Sequence, residues 1–217
     1  MKKGTQKNLY VGGILLVLFV LWTAALYFVD VRAVGPRESS VGFATLNSLI
    51  HNTAGVHMSL YTITDWLGLI PICFIIGFGI LGLLQWIKRK SLFKVDLSLL
   101  ILGGFYIVVM AVYIFFEIFV VNYRPILING NLEASYPSST TMLVMCVMPT
   151  AVMQFNARLK NSTFKRWLNI IITVFIIFMV TGRLISGVHW FSDIIGGVLL
   201  SSGLVMIYNY LNSIKPK

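Results

Sequence analysis

Long apolar stretches alternate with short polar segments along the whole chain. Six stretches are long enough and poor enough in charge to predict membrane-spanning helices: 9–29, 66–87, 97–116 running on towards 121, 138–156, 167–182 and 194–211. A transmembrane helix needs about 20 mostly apolar residues. The first stretch exceeds the apolar core of a signal peptide, which is about 7–15 residues long, so we interpret it as a retained helix. The pattern predicts an all-α, polytopic membrane protein that forms a single domain over residues 1–217.

Two of the polar segments are longer than simple turns. Residues 31–64 are mixed in polarity and contain His51 and His57, so we expect an external segment that lies on the membrane surface. Residues 123–137 contain Pro125, Gly130 and Pro137, and such residues favour turns over regular structure. This second segment is therefore predicted to be a loop.

The composition excludes a soluble domain. Soluble domains are roughly 45–50% apolar and about 25% charged, whereas this chain is 58% hydrophobic and 11% charged, with a mean hydropathy of +0.87. Such a chain has too little ionic surface to remain in water. The bilayer is its expected surrounding. Glycines such as Gly77, Gly79, Gly82, Gly196 and Gly197 are interpreted as positions of close helix packing.

The basic residues predict the orientation of the helices. The formal net charge is +10, from 17 Lys and Arg against 7 Asp and Glu. Most basic residues fall on alternate loops: Lys2, Lys3 and Lys7; Lys88, Arg89, Lys90 and Lys94; Arg158, Lys160, Lys165 and Arg166; Lys215 and Lys217. Because short cytoplasmic loops carry the excess of Lys and Arg, both termini are predicted to be cytoplasmic. The basic excess is thus a topology signal and gives no indication of nucleic acid binding.

Three polar stretches border the predicted outer face: 122–125, 136–141 and 182–193. Ionisable groups at membrane depth are costly and usually mark function. In the third stretch His189 and Asp193 are four residues apart, a spacing that places them on one face if the sixth helix has begun. A carboxylate bonded to one ring nitrogen makes the other nitrogen more basic, which suits a nucleophile or general base. The alternative is an interfacial histidine near a helix cap.

The other groups in these stretches suit a phosphate. Guanidinium groups match phosphate oxygens through paired hydrogen bonds, and Arg124 and Arg183 are the basic residues beside the histidine. Pro137, Ser138 and Ser139 read as a helix start, whose amides and dipole attract anions. Each feature alone has a simpler interpretation, as a snorkelling arginine or an ordinary helix cap. Together they predict a phosphate pocket with a histidine able to attack phosphorus.

These residues resemble the motifs of the type 2 phosphatidic acid phosphatase (PAP2) superfamily. Arg183, His189 and Asp193 match its third motif in spacing, Arg124-Pro125 resembles the end of the first, and Pro137-Ser138-Ser139 the start of the second. The motif core covers about 117–197, and the six-span topology fits the whole chain as a PAP2-like helical bundle. The resemblance implies a metal-independent, cofactor-free lipid phosphatase. In it His189 forms a phosphohistidine, Asp193 orients His189, and Arg124, Arg183, Ser138 and Ser139 bind the phosphoryl group.

Two positions depart from the family pattern. Glu117 stands where the first motif normally has Lys, and Thr140 stands where the second normally ends in His. A carboxylate cannot replace a phosphate-binding ammonium, so Glu117 must point elsewhere, pair with an arginine or serve a changed substrate. The family's histidine resembles a general acid that protonates the leaving alkoxide, and a threonine hydroxyl is too weak an acid for that role. His51 or His57, both in the external segment, is an alternative source of the proton.

The missing acid indicates a substrate whose leaving group needs no proton. A lipid phosphate that leaves from a diphosphate is already a stable anion, whereas phosphatidate releases an alkoxide. We therefore favour a polyprenyl diphosphate, hydrolysed in the cell membrane on the extracytoplasmic side. The alternatives are a catalytically silent protein that binds lipid phosphates and a phosphotransferase that moves headgroups between lipids. The expected partners are the lipid substrate and the bilayer, and the sequence leaves the oligomeric state open.

Overall fold

The computed structural model describes residues 3–214. Its helices are α1 Lys3–Phe28, α2 Ala44–Ala54, α3 Met58–Leu67, α4 Leu69–Arg89, α5 Leu97–Ile118, α6 Ser139–Arg158, α7 Ser162–Ile185 and α8 Phe191–Ser213. Two short strands, β1 Arg32–Ala33 and β2 Ser40–Val41, form an antiparallel pair after α1. The prediction of an all-α fold is confirmed.

Within residues 3–214, six segments are long and apolar enough to cross a membrane: Gln6–Phe28, Met58–Arg89, Leu97–Ile118, Ser139–Arg158, Ser162–Ile185 and Phe191–Ser213. This agrees with the six predicted spans, although the helices extend past most of the predicted boundaries. Large apolar side chains such as Val17, Ile80, Ile107 and Val174 are exposed on their outward faces. Exposed apolar surface of this extent is typical of helices that contact lipid.

The second span begins earlier than predicted. Helix α3 starts at Met58 and meets α4 at Gly68, whose backbone stays helical. The predicted boundary at 66 was therefore wrong, because the threonines and Asp65 of this helix lower its average hydropathy without ending it. The C-terminal part of the predicted surface segment, from Met58, thus forms the first turns of the second span. These turns carry Tyr61, Thr64 and Asp65, which contact the arginines of the candidate site.

Helix α2 also belongs to the packed structure. Asn47 is fully buried; its side-chain nitrogen donates to the Ser192 hydroxyl at 2.9 Å, and its side-chain oxygen accepts from the Ser192 amide at 3.0 Å. A buried amide with satisfied hydrogen bonds fixes the relative position of the two elements that it joins. The segment predicted to lie on the surface is therefore attached to the first turn of α8.

Two of the predicted close-packing glycines do lie at tight contacts, and three do not. A Cβ atom on Gly196 would lie 2.4 Å from the ring of Tyr136, and one on Gly197 would lie 3.1 Å from Thr141. In contrast, a Cβ atom on Gly77, Gly79 or Gly82 would meet no atom within 4 Å. The prediction was wrong for these three, because they face open space and not a neighbouring helix.

The ends of the helices away from the polar stretches are joined by an ionic network. Asp96 accepts from Gln85 at 2.8 Å and from Arg89 at 2.9 Å, and Arg158 lies 3.9 Å from it. The network joins α4, the start of α5 and the end of α6 at the end of the bundle that carries Lys88, Arg89, Lys90 and Arg158. Lys2, Lys215 and Lys217 lie outside the described residues. The two ends thus differ in charge as the sequence pattern indicated, and the cytoplasmic location of the basic end stays a prediction.

Candidate active site

The three polar stretches meet at one end of the bundle. The loop after α5 folds back on itself, because the Arg124 amide donates to Glu133 at 3.0 Å and the Ser135 amide donates to Asn122 at 2.9 Å. This pairing brings Arg124 beside Ser135. The turn between α7 and α8 carries His189, and the indole of Trp190 donates to the carbonyl of Tyr123 at 2.8 Å. The loop and the turn are therefore fixed to each other.

A glycine allows this turn to form. Gly187 has a positive φ of 71°, and a Cβ atom there would lie 2.2 Å from the carbonyl oxygen of Gly55. The neighbouring amide of His57 donates to Ser186 at 3.0 Å. The link between α2 and α3 thus packs against the turn, and only glycine satisfies both the backbone angle and the space.

His189 lies in a buried, positively charged setting. Its side chain is 1% exposed, and its Nε2 atom lies 3.5 Å from Nη1 of Arg124. The pKa of His189 is well below its usual value, because burial disfavours the charged ring and because Arg124 and Arg183 repel a further positive charge, while contact with Ser135 acts in the opposite direction. The imidazole is therefore neutral near pH 7, which leaves one ring nitrogen with a free lone pair.

The expected direct bond between Asp193 and His189 is not present. Nδ1 of His189 and Oδ2 of Asp193 are 4.0 Å apart, which exceeds hydrogen-bond distance. The hydroxyl of Ser135 lies between them, 2.9 Å from Nδ1 and 2.6 Å from Oδ2. The prediction that these residues act as a pair thus needs a correction: in the structure a third side chain joins them. Sequence reasoning missed Ser135, although it lies just before the second polar stretch.

Asp193 accepts hydrogen bonds from several sides. The amide of Trp190 donates to Oδ2 at 2.9 Å, and the side chain of Asn122 donates to Oδ1 at 3.0 Å. Asp193 is fully buried, so these donors replace the water that a carboxylate needs. Asn122 lies in the first polar stretch, and its role as a donor to Asp193 follows only from the folded structure.

The two arginines lie over the ring of Tyr61 of α3. The guanidinium of Arg183 lies over the Tyr61 ring at 4.8 Å, and that of Arg124 lies 6.0 Å from the same ring. These distances are within the range of cation–π attraction. The long helix that begins at Met58 therefore forms a third wall of the site, beside the loop and the turn.

Each arginine also has a carboxylate near it. Nε of Arg124 lies 3.1 Å from Glu133, and Nη1 of Arg183 lies 3.8 Å from Asp65 and 3.4 Å from the hydroxyl of Thr64. Both carboxylates are partly exposed, whereas the arginine side chains are 10% and 2% exposed. Among the described residues, Nε of buried Arg183 has no hydrogen-bond partner. That donor is available to an anion.

The second polar stretch meets the expectation only in part. Ser138 precedes α6, and its amide donates to the carbonyl of Asp193 at 3.1 Å, so this amide is not free for a ligand. Its hydroxyl is buried and has no partner within residues 3–214. Ser139 and Thr140 line an apolar groove of about 420 Å³ between α4, α5 and α6, next to Tyr113. The contacts of the described residues do not join either of them to the arginines or to His189.

The remaining sequence candidates lie around the edge of the site. Glu117, in the last turn of α5, lines a small cavity together with Ser135 and Ser139. Nε2 of His57 bonds to the carbonyl of Ala54 at 2.8 Å, so this ring is directed to its own turn. His51 packs against Trp190, with 5.4 Å between ring centroids. Neither histidine contacts His189, and within residues 3–214 no three His, Cys, Asp or Glu residues form a metal-binding group.

The fold and the site define a polytopic helical membrane protein with a buried cluster of arginine, histidine and aspartate at one end of its bundle. A family model described as the PAP2 superfamily matches residues 81–215, which is more than half of the chain. The chain therefore belongs to the PAP2 superfamily. This confirms the family indicated by the three motifs, including the two whose residues depart from the pattern.

One solved structure shows a similar fold. It is a transmembrane PAP2-type phosphatidylglycerolphosphate phosphatase from Bacillus subtilis, with 20% sequence identity and a TM-score of 0.62, and the match covers 92% of this chain and 94% of that chain. At this identity the likeness concerns the fold alone. No curated protein sequence matches the chain.

Proposed function

We propose that this protein is a membrane lipid phosphatase that works through a phosphohistidine at His189. The observation that carries the proposal is the buried imidazole of His189, whose Nε2 atom lies 3.5 Å from Nη1 of Arg124. A nucleophile must have an unprotonated atom in reach of the reacting centre, and the arginines bind the oxygens of the group under attack. Membership of the PAP2 superfamily supports the same reaction.

The chemistry needs two displacement steps at phosphorus. In the first, the lone pair of Nε2 of His189 forms the N–P bond while the P–O bond to the leaving group breaks, and the oxygen departs with the electron pair. In the second, a water oxygen forms the new P–O bond, the N–P bond returns its pair to Nε2, and the water proton passes to solvent. Arg124 and Arg183 hold the phosphoryl oxygens in both steps, where fixed positive charge contributes most to catalysis of phosphoryl transfer.

The residue type at Thr140, where the family motif has a histidine, favours a diphosphate substrate. Attack on the terminal phosphorus of a polyprenyl diphosphate expels a lipid monophosphate, whose second pKa is about 6, so no acid is needed. Phosphatidate expels an alkoxide, which does need one. Thr140 cannot supply that proton and lies in the apolar groove. On the positive-inside rule, the site faces the extracytoplasmic side.

The first experiment separates an enzyme from a silent lipid-binding protein. Phosphate release by purified protein in detergent is measured for the wild type, His189→Ala and the matched control His57→Ala. We expect no turnover from His189→Ala and wild-type turnover from the control, since the His57 ring bonds within its own turn. A wild type that binds lipid phosphates without releasing phosphate would establish the silent alternative, and product that requires an added alcohol would establish the phosphotransferase.

The second experiment tests the substrate class. Rates are compared for a polyprenyl diphosphate, phosphatidate and phosphatidylglycerolphosphate, the last because the Bacillus subtilis protein of similar fold is named for it. The diphosphate should be hydrolysed fastest. Thr140→His restores the residue type of the family motif and should raise the phosphatidate rate relative to the diphosphate rate. Equal or greater wild-type rates on phosphatidate would refute the argument from the leaving group.

A further inference from the structure

Ser135 occupies the space between the two residues that were expected to bond directly. Its hydroxyl is 2.9 Å from Nδ1 of His189 and 2.6 Å from Oδ2 of Asp193, while these two atoms are 4.0 Å apart. All three side chains are buried. The hydroxyl therefore forms the only short path between the carboxylate and the imidazole through the described residues.

The neighbours of this hydroxyl indicate the direction of each hydrogen bond. A guanidinium can only donate, so the contact at 3.5 Å from Arg124 favours Nε2 of His189 as the acceptor but is too long to fix the tautomer by itself. With Nε2 as the acceptor, the proton of the neutral ring lies on Nδ1, which donates to the oxygen of Ser135. Ser135 has a single proton, and it points to Asp193. The arrangement is one chain of donors that runs from the ring to the carboxylate.

The other bonds of Asp193 agree with this direction. It accepts from the amide of Trp190 and from the side-chain nitrogen of Asn122, and both groups can only donate. Donors directed to both oxygens favour the ionised form of a carboxylate. Asp193 therefore accepts from Ser135, which is the direction of that bond in the structure.

We infer that Ser135 is a positioning residue that relays the orienting effect of Asp193 to His189. The inference rests on the proposed function. Ser135 holds the ring in the form with its proton on Nδ1, so that the lone pair of Nε2 points towards Arg124 and the phosphorus. When Nε2 forms the N–P bond the ring becomes cationic, and the Nδ1–H···Oγ bond strengthens because the Ser135 proton is already directed to Asp193. No proton is transferred between His189, Ser135 and Asp193 in this step.

The relay has a spectroscopic readout that does not depend on activity. The protein contains three histidines, so selective ¹⁵N-histidine labelling in detergent gives three ring spin systems, and His189→Ala assigns the one of interest. In the wild type His189 should show a single neutral tautomer with the proton on Nδ1. Ser135→Ala should show a mixture of both tautomers, and Ser135→Cys, which keeps a weak donor, an intermediate spectrum. The matched control is Ser201→Ala, a buried serine whose hydroxyl bonds to the Met142 carbonyl.

Kinetics give the second readout. If the protein hydrolyses lipid phosphates, Ser135→Ala should lower kcat by roughly 10- to 100-fold with little change in KM, as expected for loss of a hydrogen bond to a group that becomes charged during the reaction. An unchanged tautomer in Ser135→Ala would overturn the relay, whatever the activity. A wild type without phosphatase activity but with the single tautomer would refute the proposed function and leave the relay standing.

Discussion

Replacement of Arg183 by Lys tests whether its guanidinium binds the phosphate as a fork. The side chain is 2% exposed and lies over Tyr61, and within the described residues its Nε has no hydrogen-bond partner. Nη1 makes only long contacts, at 3.4 Å to Thr64 and 3.8 Å to Asp65. Lys keeps the positive charge but provides one point donor, and it cannot reproduce a planar pair of N–H groups.

The geometry gives the size of the effect. A guanidinium can donate two parallel N–H groups to one phosphoryl group, and a hydrogen bond to a charged group contributes about 1.5–3 kcal/mol. Loss of one such bond in Arg183→Lys should lower kcat/KM by roughly 10- to 100-fold, because each 1.4 kcal/mol is about a factor of ten. Arg183→Ala removes both bonds and should lower kcat/KM by roughly 100- to 10,000-fold.

The assay is phosphate release from lipid diphosphate in detergent, with thermal unfolding as a check on folding. Arg166→Lys is the matched control, since it makes the same change at an exposed position near the opposite end of the same helix. The control should keep wild-type kcat/KM. Wild-type activity in Arg183→Lys, with an intact fold, would refute the role of the guanidinium as a phosphate-binding fork.

Three further predictions concern protonation and packing. An NMR titration should give His189 a midpoint below pH 6.5. Because the unfolded ring gains its proton near pH 6.5 and the folded ring does not, the unfolding free energy should fall as the pH drops below about 6.5. His189→Gln should remove the part of this fall that the His189 ring causes. Gly196→Ala should lower the unfolding free energy by about 1–3 kcal/mol through overpacking, while Gly79→Ala, which faces open space, should not lower it; equal thermal shifts would contradict this. Asn47→Ala should cost about 1–3 kcal/mol by leaving a buried amide unpaired, whereas exposed Asn52→Ala should cost little in the same denaturation assay.

The membrane-spanning helices could be predicted because the signal that defines them is local. A run of about 20 apolar residues must form a helix in lipid, where every backbone hydrogen bond has to be made within the segment. The prediction failed at the start of the second span, because Thr64 and Asp65 lower the local hydropathy. Those residues contact Arg183, and polar residues that pair with a buried side chain do not end a helix. Hydropathy alone cannot distinguish that case from a surface segment.

The candidate site could be predicted where spacing along one element determines it. His189 and Asp193 are four positions apart, His189 in the turn before α8 and Asp193 in the first turn of α8, so their proximity follows from the sequence. The position of Ser135 does not, because it depends on how the loop after α5 pairs with itself and on the distance between the loop and α8. A difference of about 1 Å between Nδ1 of His189 and Oδ2 of Asp193 decides whether the carboxylate bonds the ring directly.

The sequence by itself thus determined the class of membrane protein, its six spans and the residues proposed for the candidate site, since apolar runs and short motifs are properties of neighbouring residues. Only the tertiary structure decided which other side chains contact those residues. The ring of Tyr61 packs against the two arginines, and Ser135 joins His189 to Asp193. The amide of Ser138 donates a hydrogen bond to the backbone carbonyl of Asp193 in α8. These contacts join residues far apart in the chain, and they depend on how the helices pack.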